Sequence, residues 1–319
     1  MNLRRLLPAM LAGALLAAAL IAPASSSALV VGIADQNPAL FTNPQFQALH
    51  SKRTRIITPY DAALHADQKA QLDQWLDAAA AAHQQVLVAF NPPSTMQCPN
   101  LNGKKGCRPV SSAQYLKAFK AFHKAWPQVK LIQPWNEVNN LTQPTVYRPD
   151  AVVTYYDIVR RNCKGCTILG ADLQDVPNMV NYTRTLLADF RRKHIPTPRI
   201  WGMHNYTDVN RFIKDQNSSV RKIVRLLPGK IWLTETGGIY RFQPQNGRQT
   251  FRPDLTRQAR AIDALFTQAL KYKSKIDRVY IYEWFYAPAS NRWDSGVLDA
   301  NGAPRPAYNT LLGYKQYFR

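Results

Sequence analysis

Eight short runs of crowded apolar and β-branched residues recur along the chain, and most give way to a longer stretch of helical periodicity. They are ALVVGIA (28–34), TRIIT (54–58), QVLVAF (85–90), KLIQPW (130–135), TILGA (167–171), RIWGMH (199–204), KIWLT (230–234) and RVYIY (278–282). Runs this short, rich in Val, Ile and aromatic residues, read as strands covered on both faces. Between them the spacing predicts helices over 67–83, 112–126, 150–161 and 256–271. Asp67 and Ser112 are the expected N-caps, each with a short polar side chain that can accept from a free backbone N–H. Strands alternating with helices build βαβ units and a parallel sheet. Eight such units favour a closed ring over an open doubly wound sheet. The open form would also place a Gly-rich dinucleotide fingerprint after the first strand, where GIADQNP stands instead. The expected fold is α/β, a single (β/α)8 TIM barrel over residues 29–319.

Residues 1–28 fall outside this pattern. A short basic start (MNLRR), an apolar core (LLPAMLAGALLAAALIA) and small residues (PASSSA) are the three parts of a signal peptide. Cleavage is expected near Ala28, with Ala24 as the other candidate. The rival, a retained anchor, falls slightly short of the roughly 20 apolar residues a spanning helix needs and is interrupted by Pro8 and Gly13. The protein is therefore expected to be secreted or extracytoplasmic, with no transmembrane anchor after cleavage.

That compartment changes the reading of the cysteines. Cys98 and Cys107 bracket PNLNGKKG, and Cys163 and Cys166 bracket KG. In an exported chain, four cysteines suggest two disulfides, and local pairing is the simplest of three connectivities. A zinc site is the rival, but the pairs are far apart and no His–x–x–His companion helps. The Cys98–Cys107 loop, 91–109 after strand three, is then a disulfide-braced wall beside the C-terminal mouth.

Charge adds less. Two of the 41 lysines and arginines lie in the leader, which has no acid, so the remainder carries 39 bases against 20 acids. The bases are spread out, with short runs such as RRKH at 191–194, and no nucleic-acid motif accompanies them. Solubility and loose adherence to an anionic envelope are the expected consequences; nucleic acid is not an expected partner.

Glutamate is scarce. Of 20 acids only three are glutamate, and Glu137, Glu235 and Glu283 each follow an apolar run: the fourth, seventh and eighth. In barrels of this kind chemistry sits at the C-terminal ends of the strands. Asp35, Asp61, Asp172 and Asp208 follow the first, second, fifth and sixth runs, so the expected mouth is acid-lined and aromatic-rich, as a sugar site requires. Two carboxylates across a glycosidic bond can cleave it: one protonates the leaving oxygen while the other attacks the anomeric carbon or activates water. The tips of strands four and seven face across an eight-stranded mouth, which nominates Glu137 and Glu235 as the pair.

The segments WNEVN (135–139) and WLTETG (232–237) resemble the two signature segments of clan A retaining glycoside hydrolases, a superfamily of barrel glycosidases. The resemblance extends to HNY (204–206), EWF (283–285) and GVLDANGAPRPAY (296–308), and covers most of the chain after the leader. It implies acid/base chemistry for Glu137, the nucleophile role for Glu235, a sugar 2-hydroxyl contact for Asn136 and a hydrogen bond from Tyr206 to the nucleophile. It also implies that Trp284 floors the site as a stacking platform and that Arg55 is a cation reaching the nucleophile, against a surface salt bridge as its alternative. No cofactor is expected.

His204 is a candidate substrate contact or a satisfied core histidine, and Trp135 a core residue. Glu283 is expected to be a structural partner of an arginine, and the reserve nucleophile. Asp172 and Asp175 could bind hydroxyls or calcium, but two clustered oxygens fall short of the 6–8 that calcium takes, so no metal is expected.

The expected function is a secreted retaining glycosidase, acting as a monomer on a polysaccharide or oligosaccharide, with cell-wall or matrix polymers among the candidate substrates. The rivals are a non-catalytic carbohydrate-binding barrel on an anionic envelope, and an enzyme on acidic polysaccharide that would cluster lysine and arginine around the mouth.

Overall fold

The computed structural model describes residues 29–93, 96, 107–244 and 250–319. The expected leader and Cys98 lie outside the described residues, and with them the cleavage site and the Cys98–Cys107 pair. The other expected disulfide, Cys163–Cys166, is formed.

The strands are β1 (Val30–Ala34), β2 (Arg53–Pro59), β3 (Gln85–Asn91), β4 (Leu131–Gln133), β5 in two pieces (Thr167–Ile168 and Asp172–Gln174), β6 (Ile200–His204), β7 (Lys230–Thr236) and β8 (Ile276–Tyr282). All pair in parallel, β1 between β2 and β8, and the order continues around to the two pieces of β5. The first piece of β5 pairs with β4 and the second with β6. Leu169 N–H to Ile132 O (3.0 Å) and Gly170 N–H to Ile200 O (2.9 Å) bridge the break and close the ring. Gly170 stands in the break, against residues from a later stretch of chain: a Cβ there would run into the ring of Pro198, with the Trp201 indole at 2.8 Å. Only glycine lets the chain pass there.

The helices are α1 (Pro44–Leu49), α2 (Ala66–Ala81), α3 (Ser112–Ala125), α4 (Pro149–Asn162), α5 (Met179–Arg192), α6 (Tyr206–Asn210), α7 (Ser219–Leu226), α8 (Leu255–Lys271) and α9 (Pro306–Leu312). Two caps differ from expectation. The N-cap of α2 is His65, and Asp67 sits in the first turn, where its charge still favours the positive helix end. The N-cap of α3 is Ser111, one residue early: its Oγ accepts from Gln114 N–H and the Gln114 side chain returns to Ser111 N–H. The glutamine three residues on favours Ser111 over Ser112, because both free donors are then satisfied.

The main apolar core lies between strands and helices, with Trp75, Trp201, Phe119 and Phe190 fully buried. A second cluster of Ala34, Leu87, Leu131, Leu169, Trp232 and Tyr280 lies on the other face of the strands and fills the inside of the barrel. Among the described residues no helix is long and apolar enough to cross a membrane.

Candidate active site

The inward positions of the strands carry polar groups above the apolar plug. Along β2, Arg55 points inward and is fully buried; along β4, Gln133 does the same. Asp172 opens the second piece of β5, beside Gly202 of β6. A Cβ on Gly202 would collide with the Asp172 carboxylate, so this glycine makes the room that the buried acid occupies.

Strict alternation would turn Glu235 out of the barrel, because Trp232 and Thr234 already point in. A register shift opposite Met203 and His204 resolves this: His204 pairs with Glu235 rather than Thr234. The irregularity re-aims Glu235 toward the mouth, as bulges near sites commonly do. Glu137 follows β4 with φ of +45°, a left-handed conformation costing on the order of 1–3 kcal/mol for a non-glycine residue. Its N–H is held by Asp172 Oδ2 (3.4 Å), and the next residue, Val138, donates to Asp172 O (2.9 Å).

These side chains form one network. Arg55 Nη1 donates to Glu235 Oε2 at 2.8 Å and Nη2 to Asn136 Oδ1 at 2.7 Å, with Asp172 Oδ2 3.6 Å away. Tyr206 OH donates to the other oxygen, Glu235 Oε1, at 3.3 Å. His204 Nδ1 lies 3.0 Å from Glu137 Oε1, and Nε2 lies 2.7 Å from Asp172 Oδ2 and 3.9 Å from Glu235 Oε2. The contact to Asp172 is an ion pair off the N–H direction rather than an aligned hydrogen bond. Asn140 Nδ2 donates to Glu137 Oε2 at 2.8 Å. Asp172 also accepts from Gln133 Nε2 (2.6 Å) and from Thr234 Oγ1. Glu137 keeps 17% of its side chain exposed and Glu235 10%, against none for Arg55, Asp172 and His204. The two glutamates therefore present to the mouth and the other three lie behind them. Carboxylate oxygens of Glu137 and Glu235 and a nitrogen of His204 all lie within 4.8 Å of one another.

Burial works against charge on His204, but the carboxylates of Asp172 and Glu235 and the bonds to Asp172 and Glu137 outweigh it and raise its pKa to about 10. Burial raises Asp172 too, yet His204 first and Arg55 after it leave the carboxyl below its ordinary value. His204 is thus an imidazolium, with Nδ1 against Glu137 Oε1 and Nε2 in an ion pair with Asp172. With the two glutamates it has the spacing of a metal cluster. Burial also lifts the Tyr206 phenol well above its ordinary range, so it remains a donor to Glu235.

The raised His204 value has a sign. Its stabilising contribution is complete below the unfolded histidine value near 6.5 and is lost as pH rises through about 10. Between about pH 8, where Asp175 and Glu283 are half titrated, and about pH 10, melting temperature is expected to fall in the wild type. His204→Gln is expected to flatten that slope; parallel melting curves for the two proteins would contradict the assignment.

Several sequence expectations need correction. Trp284 is not a platform: it is fully buried, packs edge-on against Phe46 and Tyr308, and donates Nε1 to Asn43 Oδ1 at 3.1 Å. His204 has no exposed surface for a substrate; it positions Glu137 instead. Among the described residues no arginine pairs with Glu283. Its Oε1 accepts from Ser295 N–H at 3.3 Å, and burial, with Asp35 and Asp294 nearby, pushes its carboxyl to about 8. Arg305, the nearby cation, is paired with Asp294. Asp172 and Asp175 do not converge on a ligand: Asp172 is inside the barrel, and Asp175 accepts from Asp208 N–H at 2.9 Å. The surface alternative for Arg55 is excluded by its complete burial, and Trp135 is in the core as expected.

Three further residues line or support the site. Gln133 is a polar residue inside an apolar run, a signal that was available. Asn140 was hidden in a polar loop. Trp293 is half-buried, 4.8 Å edge-on from the Tyr206 ring and bonded to Ser295 Oγ. It offers a ring beside Tyr206, the residue that bonds Glu235, and no run or motif marks it.

No protein-family model matches the chain, and no curated protein matches it by sequence. Solved structures do resemble it. Xylanase B from Clostridium stercorarium F9 is 16% identical with a TM-score of 0.59, over 89% of this chain and 96% of that one. A xylanase from Paenibacillus barcinonensis is 14% identical with a TM-score of 0.63, over 92% and 99%. A family 1 β-glucosidase from Thermotoga maritima is 9% identical with a TM-score of 0.58, over 90% and 98%. At these identities the likeness establishes the barrel fold.

Proposed function

We propose that this protein is an exported retaining glycoside hydrolase acting on the glycosidic bonds of a polysaccharide or oligosaccharide. The carrying observation is that one carboxylate oxygen of Glu137 lies within 4.8 Å of one of Glu235 at the mouth. Retaining glycosidases hold their carboxyl groups about 5–5.5 Å apart, whereas inverting ones need about 6.5–9.5 Å to admit a water.

Glu235 has one oxygen fixed by Arg55 and the other by Tyr206, which aims it at an anomeric carbon above β7. In the first step its carboxylate forms the bond to that carbon while the glycosidic C–O bond breaks. Glu137 delivers a proton to the departing oxygen. In the second step Glu137 takes a proton from water, which attacks the anomeric carbon and releases Glu235. His204 and Asn140 hold Glu137 for both transfers. Asn136, fixed by Arg55, is placed to bond the 2-hydroxyl, and Trp293 to pack against the sugar.

Xylanases and a β-glucosidase among the structural neighbours make β-linked xylan and glucan the first polymers to try. Proton NMR of the first-formed product anomer, with Glu235→Gln protein as blank, is expected to show retention. Inversion, or no release from any polymer in a broad panel, would overturn the reading in favour of a binding barrel.

A further inference from the structure

Of the three glutamates, Glu137 and Glu235 carry the proposed reaction and Glu283 has no part in it. Glu283 follows β8 directly and is half-buried, and its neighbours tie it to the site. Tyr282, one residue earlier, points inward: it packs on the apolar plug of the barrel and donates its hydroxyl to the Glu283 carboxyl. Glu283 Oε1 accepts from Ser295 N–H at 3.3 Å. Ser295 Oγ in turn accepts from Glu283 N–H at 3.1 Å and from Trp293 Nε1 at 2.8 Å. The Tyr206 hydroxyl, which bonds Glu235, lies within electrostatic reach of both Tyr282 and Glu283. Glu283 is therefore held between the phenol that fixes the nucleophile and the indole beside it.

Two features decide what this corner of the mouth can bind. It is acidic and short of cations. Among the described residues no lysine or arginine pairs with Glu283 or with Asp35, whose Oδ2 accepts from the Trp284 and Phe285 N–H groups. Arg55 is committed to Glu235 and Asn136, and Arg305 to Asp294. A uronic acid would bring its carboxylate here without a counter-charge. Burial first, then Asp35 and Asp294, push the Glu283 carboxyl up to about 8. Surroundings that keep one carboxyl protonated at neutral pH oppose a second, charged one. The other feature is that a protonated carboxyl has an O–H to donate. With Oε1 accepting from Ser295, that O–H is left for a ligand oxygen, and a site built to bond a hydroxyl discriminates strongly against ligands lacking it.

We propose that Glu283 is a specificity-determining residue that bonds one hydroxyl of a neutral glycosyl unit held at Glu235 and excludes a uronic acid. The inference rests on the hydrolase reading and names the sugar class for it.

The test compares aryl β-glycosides with the full protein at about pH 6.5, where Glu283 is protonated: the xyloside, glucoside and galactoside, their monodeoxy analogues, the glucuronide and the galacturonide. For the uronides kcat/KM is expected to be about 10²-fold or more below that of the best neutral glycoside. Glu283→Ala is expected to lower kcat/KM on that glycoside about tenfold. The loss should vanish on the one monodeoxy analogue that lacks the hydroxyl Glu283 bonds, a coupling that general disruption of the site would not produce. Glu283→Gln, which keeps a donor and an acceptor, should recover most of the loss. Where Glu283→Ala melts too low to assay, Glu283→Met, of similar size and without a donor, takes its place. No loss, equal losses on the parent and every monodeoxy analogue, or a uronide turned over as well as the neutral sugars would overturn the inference. Absence of turnover on every glycoside would sink the hydrolase reading by itself. Quenching of tryptophan fluorescence by the same glycosides then gives Kd values, in which the same fold-changes are expected. Binding without the coupling, or no binding at all, would overturn the specificity role as well.

Discussion

Glu235→Gln is expected to lower kcat on the order of 10⁴-fold or more, because an amide cannot form the glycosyl ester on which double displacement depends. A loss of that size is about 5.5 kcal/mol of activation barrier, far more than a positioning effect supplies. The variant should still fold. Glutamine keeps one oxygen to accept from Arg55, which donates to Glu235 Oε2 at 2.8 Å, and its NH2 can donate to the Tyr206 oxygen, which turns from donor to acceptor. The buried guanidinium does lose its charged partner, and outright removal of such a partner costs about 3–5 kcal/mol. Asp172, 3.6 Å from Arg55, remains as a second counter-charge and should hold the drop in melting temperature to a few degrees. Steady-state kinetics beside a melting curve separates the two effects. Full activity in a folded Glu235→Gln would remove Glu235 from the mechanism.

Glu137→Gln should fail in a different way. Removing a general acid costs about 10²–10⁴-fold, but only where the leaving group needs the proton. Natural sugar leaving groups are expected to suffer the full loss, and an aryl glycoside with an acidic phenol much less in the first step. The smaller Glu137→Ala opens space beside the anomeric carbon, and azide should then restore turnover by attacking without base assistance. Its product is expected to be a glycosyl azide of retained configuration. The contacts of His204 and Asn140 to Glu137, 3.0 and 2.8 Å, explain why the amide is a milder structural change: its oxygen can still accept from one of them. Equal losses for good and poor leaving groups would make Glu137 a positioning residue.

The barrel was legible because its signals are local and repeated. Each strand is an apolar run, and the helices between strands carry the periodicity of one buried face. The break in β5 was not legible: Gly170, which stands in it, meets Pro198 and Trp201 from a later stretch of chain. The glutamate pair could be found because residues just past a strand must reach the mouth. Their neighbours are another matter. Trp284 and Glu283 are adjacent at the end of β8, and which of them turns into the core depends on Phe46 and Tyr308. Likewise, sequence places His204 at a strand end but does not reveal that Asp172 stands opposite it, in the space Gly202 leaves.

The central claim is that Glu235 becomes covalently bonded to sugar. A 2-deoxy-2-fluoro glycoside with a good leaving group slows release of such an intermediate, and mass spectrometry of the digested protein then locates it. The expected result is one added fluorosugar on the peptide containing Trp232 to Gly237, at Glu235, absent from Glu235→Gln. A sugar on Glu283 instead, or an active enzyme that never accumulates an adduct, would contradict it.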